Sequence, residues 1–147
     1  MILKNFKINA FTNSKLFGNP ACVVPLKKWL SDEILLKIAK KNNVSETAFF
    51  IKENSKFSLR WFTPDIEMDL CGHATLAAAH CINKHLNFNF ETILFNSKIG
   101  QLSVNVFDDL YQLDFPKRKP IESELPKEIY NSLSIKPDKV LKSRDYV

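Results

Sequence analysis

Glycine is scarce here, with three in 147 residues against twelve phenylalanines. That balance excludes low complexity or disorder before the C-terminal third and points to packed aromatic layers. Cysteine is equally thin. Cys22, Cys71 and Cys81 form an odd set without Cys-x-x-Cys spacing, which argues against a disulfide framework or a zinc ribbon and for reduced thiols in the cytosol. No internal repeat is visible. No apolar run approaches the length needed to cross a bilayer, and residues 1–6 read as a strand that already carries Lys4. A soluble, unexported, cytoplasmic protein with no membrane partner is expected. The net charge of +5 and pI near 9.1 come from scattered lysines such as Lys37, Lys40 and Lys41, Lys52 and Lys56, and Lys117 and Lys119. Without a basic stripe interleaved with base-stacking aromatics, nucleic acid is not an expected partner, and the charge suits small anions.

What is present fits a globular domain: 45% of the residues are hydrophobic, enough for a real core. The most informative stretch runs from Leu59-Arg60-Trp61-Phe62-Thr63-Pro64 into Asp69-Leu70-Cys71-Gly72-His73-Ala74-Thr75, where a strand stops and a helix starts on small, polar residues. The free N–H groups and positive end of such a helix favour an anion. Gly72 permits close approach, and His73 brings a titratable ring into the first turn. The helix, expected over residues 72–85, is small and apolar nearly all round, which marks it as buried.

Strands are expected over residues 6–11 and 22–26, with a tight turn at Gly18-Asn19-Pro20 between them. Ser31 reads as the N-cap of a surface helix that carries Asp32 and Glu33 first, an apolar stripe of Ile34, Leu35, Ile38 and Ala39, and Lys40-Lys41 at its exit. Residues 44–51 and 57–63 read as a strand pair, residues 90–95 as a strand, and the alternation through Val104 and Leu113 as an antiparallel hairpin turning at Asp108-Asp109. From Pro116 the composition shifts to proline and lysine, with a short helix at residues 126–133 that starts on Pro126 and a strand begun over residues 139–147. Pattern alone therefore gives an α+β fold, an antiparallel sheet wrapped around a central apolar helix.

Several residues could carry chemistry. Glu46 shares a strand face with Ala48 and Phe50, and an apolar wall raises a carboxylate pKa towards the range useful for proton transfer. The simpler reading is a strand-start glutamate turned to water. For His73 the simpler reading is a solvated first-turn ring, kept neutral beside the helix's positive end. Cys71, just before the helix, would have its thiolate stabilised by the dipole, although a small buried hydrophobe is the commoner role. A zinc site drawn from Cys71, His73, His80, Cys81 and His85 fails because His73 and His80 lie roughly 10 Å apart along the helix. No metal and no cofactor are expected. Arg60, Asp65, Glu67 and Asp69 read as the wet face of an extended segment.

Taken in order, Ala10-Phe11-Thr12, Gly18-Asn19-Pro20-Ala21-Cys22-Val23-Val24, Ser45-Glu46-Thr47-Ala48-Phe49, and the two segments running from Leu59 to Thr75 resemble the N-terminal half of a PhzF-like phenazine-biosynthesis protein. The resemblance implies a diaminopimelate-epimerase-like fold, with two similar domains and an active site in the cleft between them. It also implies an isomerase or epimerase that moves a proton on a small amino or hydroxy carboxylic acid without a cofactor. Glu46 matches the proton shuttle; Gly72 and His73 match positions that line the substrate site, and Ser45 lies beside them. Residues 1–116 would form the N-terminal epimerase-like domain, and 117–147 a linker and the start of a truncated second domain. The alternative is a non-catalytic fragment that folds by self-association or with a missing C-terminal half. On either reading a homodimer is expected.

Overall fold

The computed structural model describes residues 2–13 and 15–143. They divide into a unit ending at Asp114 and a smaller one beginning at Phe115. The first is built on an eight-stranded sheet. Strand β1 (Phe6–Ala10) pairs antiparallel with β2 (Asn19–Leu26), and residues 2–5 are not strand, so the extended start expected from residues 1–6 is shorter. Gly18 makes the turn into β2 at φ +72°, where a Cβ would lie 2.3 Å from the Ala10 carbonyl oxygen. Only glycine fits there.

Helix α1 (Asp32–Asn42) carries the chain from β2 to β3 (Glu46–Glu53). Ser31 starts the helix through its carbonyl, which accepts from the Ile34 and Leu35 amides, and its hydroxyl makes no cap. Asn43 ends it in the left-handed region at φ 49°. Strand β4 (Lys56–Phe62) hairpins back on β3 and is followed by the short β5 (Glu67–Met68), which pairs with its far end. Helix α2 (Gly72–His80) then leads through a π-helical turn, Cys81–His85, towards β6 (Thr92–Ser97), β7 (Gly100–Phe107) and β8 (Leu110–Asp114). The order across the sheet is β1-β2-β3-β4-β6-β7-β8.

Not every pairing is antiparallel. β2 runs parallel to β3 and β4 runs parallel to β6. In each case the connection contains a helix, α1 for the first and α2 for the second, which is how parallel neighbours must be joined. Strand patterns in the sequence do not carry direction, so the sheet read as antiparallel is mixed.

Alternation along the strands builds two cores. Ala48, Phe50, Leu59, Trp61, Ile93, Phe95 and Val104 close around Ala74, Ala77, Ala78 and Ile82 of the central helical segment. Val24, Phe49 and Phe62 point the other way, onto Leu35 and Ala39 of α1. The alanines let α2 sit close against a sheet rich in large rings, and each fully buried large side chain contributes about 1.5–3 kcal/mol.

The second unit is slight. β9 (Ile121–Glu122) pairs with β10 (Leu141–Lys142), and between them lies α3 (Lys127–Ser132), which buries no residue. Pro126 stands at its N-cap with ψ 139° instead of opening the helix. Of the strand expected over residues 139–147, only this two-residue bridge is seen, and residues 144–147 lie outside the described part.

Candidate active site

The start of α2 and the starts of β2 and β3 meet at one end of the first unit. The parallel register sets Ala21 beside Glu46, so Pro20 and Asn19 fall next to Ser45. Period-two alternation then turns Glu46 to the same side as Ala48 and Phe50, towards α2. Its Oε2 lies 3.3 Å from His73 Nε2, with the two side chains 17% and 10% exposed. A strand-start glutamate turned to water is not what forms. The Ser45 hydroxyl stands 3.3 Å from the same Nε2 and reaches Asn19 Oδ1 at 3.2 Å and the Pro20 carbonyl at 3.3 Å. On the other side of the ring, Nδ1 lies 3.4 Å from Cys71 Sγ.

Burial pushes the Cys71 thiol up to about 12, the Glu46 charge pushes the same way, and the nearby amides of Ala74 and His73 only partly oppose it. The thiol therefore keeps its proton at neutral pH, 3.4 Å from Nδ1. The Ser45 hydroxyl has Asn19 Oδ1 and the Pro20 carbonyl as acceptors, and the tautomer of His73 sets the direction of its contacts with Ser45 and Cys71. Of the two readings of Cys71, the small buried hydrophobe is the one that forms, since desolvation outweighs the helix dipole; Cys71 is 7% exposed. The side chain of Cys71, at the N-cap, makes no aligned capping bond, and the first-turn amides have no partner within the helix. Gly72 is half-buried at that opening.

Residues 8–142 match the family described as phenazine biosynthesis-like protein, PhzC-PhzF. The chain belongs to that family. It is 43% identical over its whole length to an uncharacterized isomerase of Pseudomonas aeruginosa, of which it covers 57%. It is 42% identical over 125 residues to the phenazine biosynthesis-like domain-containing protein of Homo sapiens, covering 43% of it. Among solved structures, a PhzF-family protein of Enterococcus faecalis superposes with a TM-score of 0.85 at 40% identity, over 95% of this chain and 54% of that one. The fold is therefore PhzF-like, of the diaminopimelate-epimerase type, and the family is isomerase-like. The chain spans about half the length of the curated relatives it matches.

Within this PhzF-like domain the remaining histidines go elsewhere. His80 and His85 pack edge-to-face with ring centroids 5.6 Å apart, His80 also meets Tyr111, and Phe6 stacks on His85 at 5.0 Å. They border a groove of about 760 Å³ between β1, α2 and β8, which none of Ser45, Glu46, Gly72 and His73 lines. Arg60 is not on a wet face. Its guanidinium forks onto Glu67 at 2.6 and 2.8 Å, reaches Asp32 of α1 at 2.8 Å, and lies over the rings of Trp29 and Phe62. The Glu67 carboxylate above all raises its pKa further. That network ties α1 to β4 and β5, and Asp69 pairs with Lys98. Sequence reasoning did not single out Asn19, the partner of Ser45, although its place after the obligatory Gly18 was a usable signal. No helix among the described residues is long and apolar enough to cross a membrane.

Proposed function

We propose that the chain contributes the acid–base half of a cofactor-free isomerase site acting on a small amino or hydroxy carboxylic acid. Glu46 takes a proton from one carbon and returns it to another while an electron pair shifts between them, so no redox partner is needed. Ser45 holds the His73 ring beside the Glu46 carboxyl group, and the substrate's own carboxylate sits at the amides opening α2, with Gly72 allowing close approach. The observation that carries this reading is the 3.3 Å approach of Glu46 to His73 at the mouth of that helix. The isomerase relatives support it. Cys71 is not the base, since its thiol remains protonated at neutral pH.

The test uses this chain in place of the matching segment of the Pseudomonas aeruginosa isomerase. Incubated in D2O with a panel of small amino and hydroxy acids, the chimera should incorporate deuterium, and its Glu46→Gln form should not, while substrate binding persists. Exchange surviving the substitution would refute the role of Glu46. Turnover is not the sole readout: in the chain alone, the amides of Gly72 and His73 should shift on titration with a small carboxylate, and unmoved amides would refute the anion site.

A second reading, self-association of a non-catalytic chain, is favoured by the apolar surface. β1 and β8 close the two ends of the sheet without a further neighbour among the described residues, and Phe17 and Leu110 are 93% and 73% exposed. Sedimentation should then find a dimer or larger species. A monodisperse monomer at high concentration would remove this reading.

A further inference from the structure

Glu46, Cys71 and His73 each offer one donor atom, and the three donors lie within 4.8 Å of one another. Carboxylate oxygen, thiolate sulfur and imidazole nitrogen are the ligands that zinc takes in tetrahedral sites, at bond lengths of about 2.0–2.3 Å. Donors around one such ion stand roughly 3.5 Å apart; Cys71 Sγ meets Nδ1 and Glu46 Oε2 meets Nε2, so a single ion takes one ring nitrogen and draws the other of these two side chains round the ring towards it. Glu46 Oε2 is moreover buried and has no aligned hydrogen-bond donor, although the His73 ring is near. A buried acceptor in that condition is what a cation would satisfy.

We propose that these three side chains form a binding site for a thiophilic divalent cation, zinc above all, whose occupancy shuts down the acid–base site. Cys71 releases its proton to solvent as the sulfur takes up the ion, and a water molecule completes the tetrahedron on the open side next to Ser45. The expectation of no metal was argued against a set that joined Cys71 and His73 to His80, Cys81 and His85 at the far end of the helix, and did not weigh Glu46. Sulfur and imidazole together select zinc and cobalt over magnesium and calcium, which prefer all-oxygen cages. The positive end of α2 opposes the ion, by up to roughly thirtyfold in affinity per unit charge for a partly buried site. Two anionic ligands outweigh that. Binding rests on the donor geometry alone; the shutdown also rests on the proton-transfer reading.

The 147-residue chain, stripped with EDTA and dialysed, is titrated with Co²⁺. A thiolate-to-cobalt charge-transfer band and strong tetrahedral visible bands should appear, saturate stoichiometrically and vanish on adding Zn²⁺, while Mg²⁺ leaves them unchanged. Cys71→Ser should abolish the charge-transfer band and weaken binding at least about tenfold, whereas Cys22→Ser should keep both. Should Cys71→Ser fail to fold, the ring resonances of the unaltered chain decide: zinc should move those of His73 and leave His80 and His85 in place. No band in the folded protein, a band that survives Cys71→Ser, or shifts confined to His80 and His85 would overturn the site. In the chimera, zinc should suppress deuterium exchange and EDTA restore it. Cobalt bound through Cys71 with no exchange in the metal-free chimera would instead defeat the proton-transfer reading and leave the metal site standing.

Discussion

The central helical segment has histidine at both ends and a carboxylate facing it at only one. At its start, His73 meets Ser45 and Glu46, delivered by the beginning of β3, with Asn19 of β2 behind them. At its far end the chain widens into a π-helical turn, and His80 and His85 find only the rings of Phe6 and Tyr111 within stacking reach. There Asp109 pairs with Lys84 at 2.7 Å in the open. A histidine is poised for chemistry here only where strand starts deliver a hydroxyl and a carboxylate to it. Elsewhere on the same helix the same side chain is a packed ring.

The comparison would break most sharply if activity tracked the wrong end. Glu46→Gln should lower exchange in the chimera by about 10²–10⁴-fold, the usual worth of a positioned acid–base group, while His80→Gln should leave it within about twofold. Comparable losses from both would mean that the far end takes part in the chemistry. Packing gives the converse effect. Ile82 in the π-helical turn is fully buried, so Ile82→Ala should lower the unfolding free energy by about 2–5 kcal/mol. Urea denaturation measures this, and a loss below about 1 kcal/mol would mean that the turn is not part of the core.

The two ends also share a buried thiol each, which allows a finer test. Burial raises both Cys71 and Cys81 to about 12 from an ordinary value of 9.0. The unfolded chain loses these protons from about pH 9 upward, while the folded chain keeps them until about pH 12. Between those limits the unfolded state binds fewer protons, so stability falls as pH rises, by up to about 1.4 kcal/mol per pH unit for each thiol. Below pH 9 nothing is lost. Cys71→Ala and Cys81→Ala should each flatten the alkaline limb of the stability curve, measured by urea midpoints across that range. An unchanged limb in both variants would show that the thiols ionise in the folded state.

Much of this was legible in the sequence, for identifiable reasons. The small apolar helix and the alternating strands follow from periods of 3.6 and 2, and those periods also place Glu46 on the helix-facing side. What did not follow was long-range. Nothing in residues 19–26 or 46–53 announces that β2 and β3 run parallel, yet that register is what sets Asn19 and Pro20 beside Ser45. At Cys71 the commoner role, a small buried hydrophobe, is the one that forms, while the strength of the desolvation that outweighs the helix dipole comes from distant strands and is not visible in sequence. Arg60 looked solvated for the same reason, since Asp32 lies far from it in the chain.

The smallest effect concerns acid. Desolvation first, then the neighbouring charges of His85 and Lys84, lowers the His80 pKa below its ordinary 6.5, while Asp109 pulls weakly the other way. Tyr111 also faces the ring, from β8. The unfolded chain therefore takes up the His80 proton before the folded chain does. Stability from this residue is present above pH 6.5 and is lost as pH falls through the lowered value. His80 is only half-buried, so solvent screening keeps the loss small. His80→Gln should remove that slope from thermal unfolding measured between pH 7 and pH 5. A slope of opposite sign would mean that Asp109 holds a charged imidazolium in the fold, and the far end of the helix would then be an ion-pair site instead of a packed one.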